Sequence, residues 1–239
     1  MPQQRRAAAL AKTDSGGKIE RIGIVLECVS KNTRKSATFQ GASRGLEIGL
    51  ESSEIAGHSL LMSARYIPDT AKVLEVILWL ASARPSMDVY HVVKCAYYAD
   101  KRHLNLHGRT IAGDQYLADE YGPLGRCVYG LLRSLPNERL ALQTNQKLPF
   151  SVDDESHVVT PERDANKGRL SASDVEALTW AVENYAHLSF DELVELSHSE
   201  EAYRNANGGI LRYEDMLDLT PDREKRAEDL AENARYAVF

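Results

Sequence analysis

The stretch VYHVVKCAYYADKRHLNLHGRTIAGDQYLADEYGPLGRCVYGLL, from Val89 to Leu132, decides the fold class. Val89, Val92, Val93, Ala96 and Tyr97 recur at the spacing of one helix face, so the first half reads as a helix carrying the paired Tyr97-Tyr98. Ser86 is placed to cap its start, with Asp88 in the first turn, where a carboxylate meets the helix dipole. Lys101, Arg102 and His103 suit its negative end, and Gly108 supplies the stop. Asp114 then reads as the cap of a short polar helix through Asp119. Tyr121-Gly122-Pro123 breaks the chain, because proline fixes its own φ and disfavours a helical conformation at the residue before it. Pro123 is expected to open a second apolar helix with Cys127, Val128, Leu131 and Leu132, closed by Pro136-Asn137.

Outward from this stretch the helical texture continues. Pro68-Asp69-Thr70 precedes Val73, Leu74, Ile77, Leu78 and Ala81, another single face, which Pro85 ends. Between Leu140 and Pro161 the pattern changes: ALQTN and LPFSV read as strands, and SHVVT pairs as a hairpin beyond Asp153-Asp154-Glu155. Ser171 with Asp174, Ser173 with Glu176, and Ser189 with Glu192 are capping-box candidates. Val175, Leu178, Thr179 and Val182 mark the inner face of the helix behind the first two boxes, and Leu193, Val194 and Leu196 follow the third. Thr220-Pro221 begins a charged tail helix with Ala227, Leu230, Ala231 and Ala234 as its apolar stripe. The fold class is mainly α: a compact multi-helix domain with a small β-hairpin element and an N-terminal extension.

Residues 1–61 differ in texture. Glycines punctuate short apolar pieces, and only Ile19 to Ser30 has strand-like β-branched character. The expected division is an extension at 1–61, a main domain at 62–219, for which Met62 reads as a natural start, and a charged helix at 220–239.

Bulk composition excludes several classes. Across 239 residues, 43% hydrophobic and 27% charged content is ordinary for a globular chain. The apolar run Val73 to Ala83, broken by Glu75, is short of the about 20 residues that a membrane span needs. MPQQRRAAALAK is basic with no apolar stretch behind it, so no secretory signal is expected. Cys28, Cys95 and Cys127 are odd in number and widely spaced, which points to free thiols in a reducing cytoplasm. The net charge of -6 conceals an asymmetry: residues 170–239 hold 16 Asp+Glu against 6 Lys+Arg. Nucleic acid is disfavoured as a partner, since phosphate contacts demand basic residues. Solvated helix faces account for the acids, and acids such as Glu200 and Glu201 would also suit a basic protein surface.

No catalytic arrangement stands out. His103 and His107 are four apart, as in a metal pair, but have neither a metalloprotease glutamate between them nor an evident third ligand. Gly108, Gly113 and Gly122 do not form a phosphate loop, and no Gly-x-Ser-x-Gly elbow is present. His91 and His198 would need a carboxylate brought close by the fold before acting as acid or base. No metal and no cofactor is expected, and the chain is read as a non-enzyme.

The helix with Tyr97-Tyr98, the Tyr121-Gly122-Pro123 break and the later segment Leu170 to Ala206, in this order, resemble the Panacea domain of SocA-type, phage-associated bacterial antitoxins. The resemblance spans roughly Ile67 to Leu217. Members show a Gly-Pro after a short helix and a Leu-x-x-x-(Ser/Thr)-His element before a polar aromatic turn. Here these are Gly122-Pro123, Leu193 to His198, and Ala202 to Ala206, with Tyr203 where many relatives carry Trp. The resemblance implies an antitoxin that binds a cognate small toxin directly, either masking it or delivering it to a cellular protease, two actions that the residues do not separate. Tyr97, Tyr98, Asp119, Tyr121, Gly122, Pro123, His198 and Tyr203 are its motif or partner-binding residues, with roles in the fold favoured over direct contact. Two rivals are a hydrolase using His198 or His107 and a DNA-binding autoregulator. An enzyme should bring His198 and a carboxylate into one concave pocket. A binding protein should show an exposed apolar patch ringed by charge.

Overall fold

Capping side chains set most of the helix starts. The computed structural model describes residues 64–137, 142, 147–234 and 236. The extension 1–61, with Cys28, the Ile19–Ser30 strand and the start at Met62, lies outside the described residues, as does most of ALQTN. Helix α1 (Thr70–Ala83) begins where the Asp69 side chain accepts the Lys72 N–H. Helix α2 (Val89–His107) begins at Asp88, which accepts the His91 N–H, and ends at Gly108 in the left-handed conformation, φ 69°. Ser86 is not the cap. The backbone of Met87 to Val89 is tied to the 157–159 segment (Val89 N–H to His157 O, Val159 N–H to Met87 O), which holds Asp88 extended at the cap position.

The sharpest departure from the helical expectation is at 114–119. Tyr116–Asp119 is a strand, β1, paired antiparallel with β2 (Gly122–Gly125), Asp119 standing opposite Gly122. The reason is non-local. The other edge of β1 is bonded to the 209–211 segment through Ala118 N–H to Gly209 O and Leu211 N–H to Tyr116 O, both 2.9 Å. Pro123 therefore lies in a strand rather than at a helix start. It faces Ala118 in the last strand of this small sheet, a location where a missing N–H is tolerated. Helix α3 (Arg126–Leu132) starts after Gly125 and stops well before Pro136. Asp114 does cap a helix, but it is this distant one: its two carboxylate oxygens accept the N–H groups of Cys127 (2.8 Å) and Val128 (3.0 Å). Gly125 leaves room for that carboxylate, since a Cβ there would stand 2.6 Å from Asp114 Oδ2.

The expected hairpin forms from β3 (Phe150–Val152) and β4 (Val159–Pro161). Helices α4 (Ala172–Tyr185) and α5 (Phe190–His198) open with complete capping boxes at Ser171/Asp174 and Ser189/Glu192. Ser173 does not box with Glu176; its hydroxyl meets His103 and Ser171 instead. Then come α6 (Glu201–Ala206), a 3-10 turn at Tyr213–Met216 and α7 (Arg223–Asn233), whose Leu230 is buried.

Helix α2 is central, flanked most extensively by α4 and also by α1, α3 and the β1–β2 hairpin. Its predicted stripe holds: Val92, Val93, Ala96 and Tyr97 are buried. On α4 the buried residues are Asp174, Ala177, Leu178 and Ala181, so the face is turned slightly from the expected one. Asp174 anchors that orientation, taking Lys72 Nζ at 2.9 Å, His103 Nε2 at 3.2 Å and Arg109 at 3.3 Å. Burial pushes its carboxyl up, but Lys72 and the Ser171 bonds outweigh this and hold it below the ordinary value. Cys95 and Cys127 are buried, their Sγ atoms meeting Ala181 O and Thr70 Oγ1 respectively. Among the described residues no helix is long and apolar enough to cross a membrane.

Candidate functional site

The two-residue turn Glu120-Tyr121, which joins β1 to β2, is the point on which the predicted residues converge. Its carbonyls and those of its neighbours accept donors from three different helices. Tyr203 Oη on α6 donates to Asp119 O at 3.0 Å. His198 Nε2 at the end of α5 is 3.1 Å from Glu120 O, a donation when that nitrogen carries the proton. Tyr90 Oη on α2 reaches Tyr121 O at 3.4 Å, and Lys94 Nζ, one turn further along, donates to Pro123 O at 2.8 Å. Backbone acceptors bent out of a regular ladder need partners. Here side chains supply them, and the turn is clamped.

Gly122 is indispensable to this arrangement on two counts. Its φ of 93° is a conformation that residues with a Cβ rarely adopt. A Cβ would also stand 2.1 Å from Ser197 Oγ and 3.0 Å from Lys94 Nζ. The hairpin backbone thus rests directly on α5 and on the lysine. Ser197 is fully buried and directs its hydroxyl to Val194 O. The His198 ring stacks on Tyr203, centroids 4.6 Å apart and planes 6° from parallel, so each clamp residue orients the other.

Lys94 is 2% exposed and makes no ion pair among the described residues. Burial pulls its ammonium down to about 7, while the Asp119 carboxylate acts weakly in the opposite sense. The Tyr90 ring lies 5.1 Å from its nitrogen, a cation–π arrangement that partly replaces the lost water. Burial pushes the Tyr90 hydroxyl up to about 12, so it remains a donor at neutral pH.

Six of the eight sequence-predicted residues, Asp119, Tyr121, Gly122, Pro123, His198 and Tyr203, therefore meet in one place. Tyr97 and Tyr98 do not join them. Both are core residues, Tyr97 against Tyr98 and Tyr116, and Tyr98 stacked on Tyr185 at 3.9 Å. Neither hydroxyl has a hydrogen-bond partner among the described residues, and burial pushes both well above the ordinary tyrosine value. Lys94 and Tyr90 were missed from the sequence, and Ser197 was read only as the Ser/Thr of the element that ends at His198. Tyr90, Lys94 and Tyr97-Tyr98 follow each other at helical spacing, which is the signal that places the lysine beside the buried stripe.

The histidine alternatives are otherwise engaged. His103 bonds Arg109 O and Ser173 Oγ, and its ring lies 4.5 Å from that of exposed His107. No group of three or more His, Cys, Asp or Glu residues suited to a metal occurs among the described residues. His91 pairs with Asp88 at 2.7 Å and Leu188 O at 2.9 Å, holding the start of α2 to the α4–α5 connection.

At the outer side of the turn, Tyr121 is 47% and Phe190 44% exposed, with ring centroids 5.4 Å apart. Phe190 in turn lies 4.4 Å from Tyr90, so a strip of three rings runs from the clamp to the surface.

No curated protein and no solved structure matches the chain. The family model described as antitoxin SocA-like, Panacea domain, matches residues 92–203, a narrower span than the resemblance read from the sequence. That matched span runs from α2 to α6 and holds every clamp residue except Tyr90, so the likeness to the SocA-like Panacea domain lies in the part of the chain that builds the turn.

Proposed function

We propose that this protein is an antitoxin that neutralises a cognate small protein toxin by direct, stoichiometric binding. The observation that carries the reading, beside the family match, is what the family-like residues do. Gly122, Pro123, His198 and Tyr203 build a braced turn whose outer side presents Tyr121 and Phe190. His198 spends Nε2 on a backbone carbonyl and one ring face on Tyr203, a structural engagement rather than that of a base aimed at a substrate. An exposed aromatic surface on a rigid scaffold is how binding proteins concentrate affinity at low entropic cost.

The experiment is co-expression of this protein with the small open reading frame encoded beside it, scored by growth and by co-purification. Growth arrest by the neighbour alone, relieved in a one-to-one complex, is the expected outcome. Relief with no complex, at catalytic amounts of this protein, would transfer the reading to an enzyme. Masking and protease delivery separate in the same cells: masking leaves the toxin level unchanged, whereas an adaptor lowers it in a protease-dependent way. Residues 1–61 are proposed to be dispensable, so a chain starting at Met62 should neutralise equally well.

A further inference from the structure

The aromatic strip has a chemical character that narrows its partner. Tyr121 and Phe190 expose nearly half of their surface, and Tyr90 connects them to the interior. Glu120 adjoins Tyr121 in the turn, and Asp191 adjoins Phe190 on the first turn of α5. Both side groups belong to exposed residues and make no ion pair among the described residues. The charges of Asp88 and Asp191 are close enough to raise the Tyr90 hydroxyl. The basic groups that lie against the Tyr90 ring are turned away from the surface: Lys94 into Pro123 O, and His91 into Asp88 and Leu188 O. Glu192 is consumed by the Ser189 capping box, which fixes Phe190 at the helix start. An apolar partner laid over this strip would strip water from Glu120 and Asp191 and leave both charges unpaired. A cation with a flat or extended stem offsets that cost and also finds ring faces.

We propose that the Tyr90–Phe190–Tyr121 strip, with Glu120 and Asp191 at its margins, is the docking surface for a basic segment of a protein partner, whose arginine or lysine side chains lie across the rings between the two carboxylates. The proposal rests on the antitoxin reading for the partner's identity, the toxin, but its chemistry is testable without one.

The probe is a capped tetra-arginine peptide, with a capped tetra-glutamate peptide as control, titrated into the full chain and followed by backbone amide NMR. Saturable shifts are expected at residues 88–91, 119–122 and 190–192 with the basic peptide and not with the acidic one. Replacing both rings (Tyr121→Ala with Phe190→Ala) should weaken binding by about tenfold or more, as loss of aromatic anchors does. Asp191→Lys should weaken it and flatten its salt dependence. Shifts spread over α7 instead, no shifts at all, or equal affinity in the double variant would each overturn the proposal. Peptide binding at the strip in a protein that fails to relieve any neighbour-encoded toxicity would leave the docking surface standing and remove the antitoxin reading. Full neutralisation by the double variant would do the reverse.

Discussion

A Cβ on Gly122 would overlap Ser197 Oγ, at 2.1 Å, because the turn of the β1–β2 hairpin is pressed directly against the last turn of α5. This contact explains why the glycine precedes the proline. Pro123 stiffens the strand, while Gly122 alone can take φ 93° and leave space for Ser197 and Lys94.

Gly122→Ala should accordingly cost about 2–4 kcal/mol, the sum of a left-handed conformation and a displaced neighbour. For a domain of this size, each kcal/mol lowers the melting temperature by about 2–4 °C. Combining it with Ser197→Gly removes the overlapping atoms and should recover part of the loss, measured as a non-additive double-mutant cycle in chemical unfolding. Strict additivity would mean that the two elements do not press on one another.

Lys94 makes a pH-dependent prediction. Its amine is held at about 7 by burial, against an ordinary value of 10.5 in the unfolded chain. Between these values the unfolded state binds the proton and the folded state does not, so stability rises with pH across that window. Below about 7 the folded protein carries the full cost of a buried charge. Lys94→Met removes that cost together with the bond to Pro123 O. Compared with the variant, the parent protein should therefore gain stability from pH 7 to 9.5 in urea unfolding. A difference that stays constant with pH would show that the ammonium remains charged in place.

Asp114 should show the opposite slope. Burial raises its carboxyl to about 7, more than the Cys127 and Val128 N–H bonds lower it. The folded state then holds the proton better than the unfolded one, so the contribution is present below the ordinary value of 3.8 and fades as pH rises through about 7. Asp114→Ala leaves the first N–H groups of α3 unpaired in the interior, at a cost of about 1–3 kcal/mol for each orphaned group. Asp114→Asn keeps one acceptor and loses the titration. It should be milder than alanine, and its deficit against the parent should shrink from pH 4 to 7.

How much of this was legible in the sequence depended on how far each signal reaches. Asp69, Gly108, Ser171 and Ser189 act on N–H and C=O groups within a few residues, and the elements they bound were readable. Asp114 looked like the same signal, but its capped N–H groups lie at Cys127 and Val128, beyond an entire hairpin. Tyr116 to Asp119 carries little strand character alone; it is a strand because Gly209 and Leu211 close its other edge. At the site, the Gly122-Pro123 and His198 signals were visible, yet the bond that matters to Pro123 comes from Lys94, a residue type that is rarely buried without a counter-charge. Glu200 and Glu201, read as surface acids for steering a partner, are bound to Lys101 and Arg223. Reversing them would break ion pairs on α2 and α7, so Asp191 is the better probe of steering.

His198 separates scaffold from chemistry. Its ring brace on Tyr203 and its bond to Glu120 O position the turn, so His198→Ala should loosen the hairpin without exposing a new charge. The expected loss is about 1–2 kcal/mol, one hydrogen bond plus a stacked pair. Tyr203→Phe, which keeps the stacking and loses only the bond to Asp119 O, should lose about 0.5–1.5 kcal/mol. On the proposed antitoxin reading, neutralisation should then fall in step with stability across both variants, and lower temperature should restore it. Amide exchange at residues 119–123 reports the same loosening directly. A His198→Ala protein that is as stable as the parent, binds its toxin as tightly and yet fails to neutralise it would assign chemistry to the imidazole. The enzyme reading would then replace the binding one.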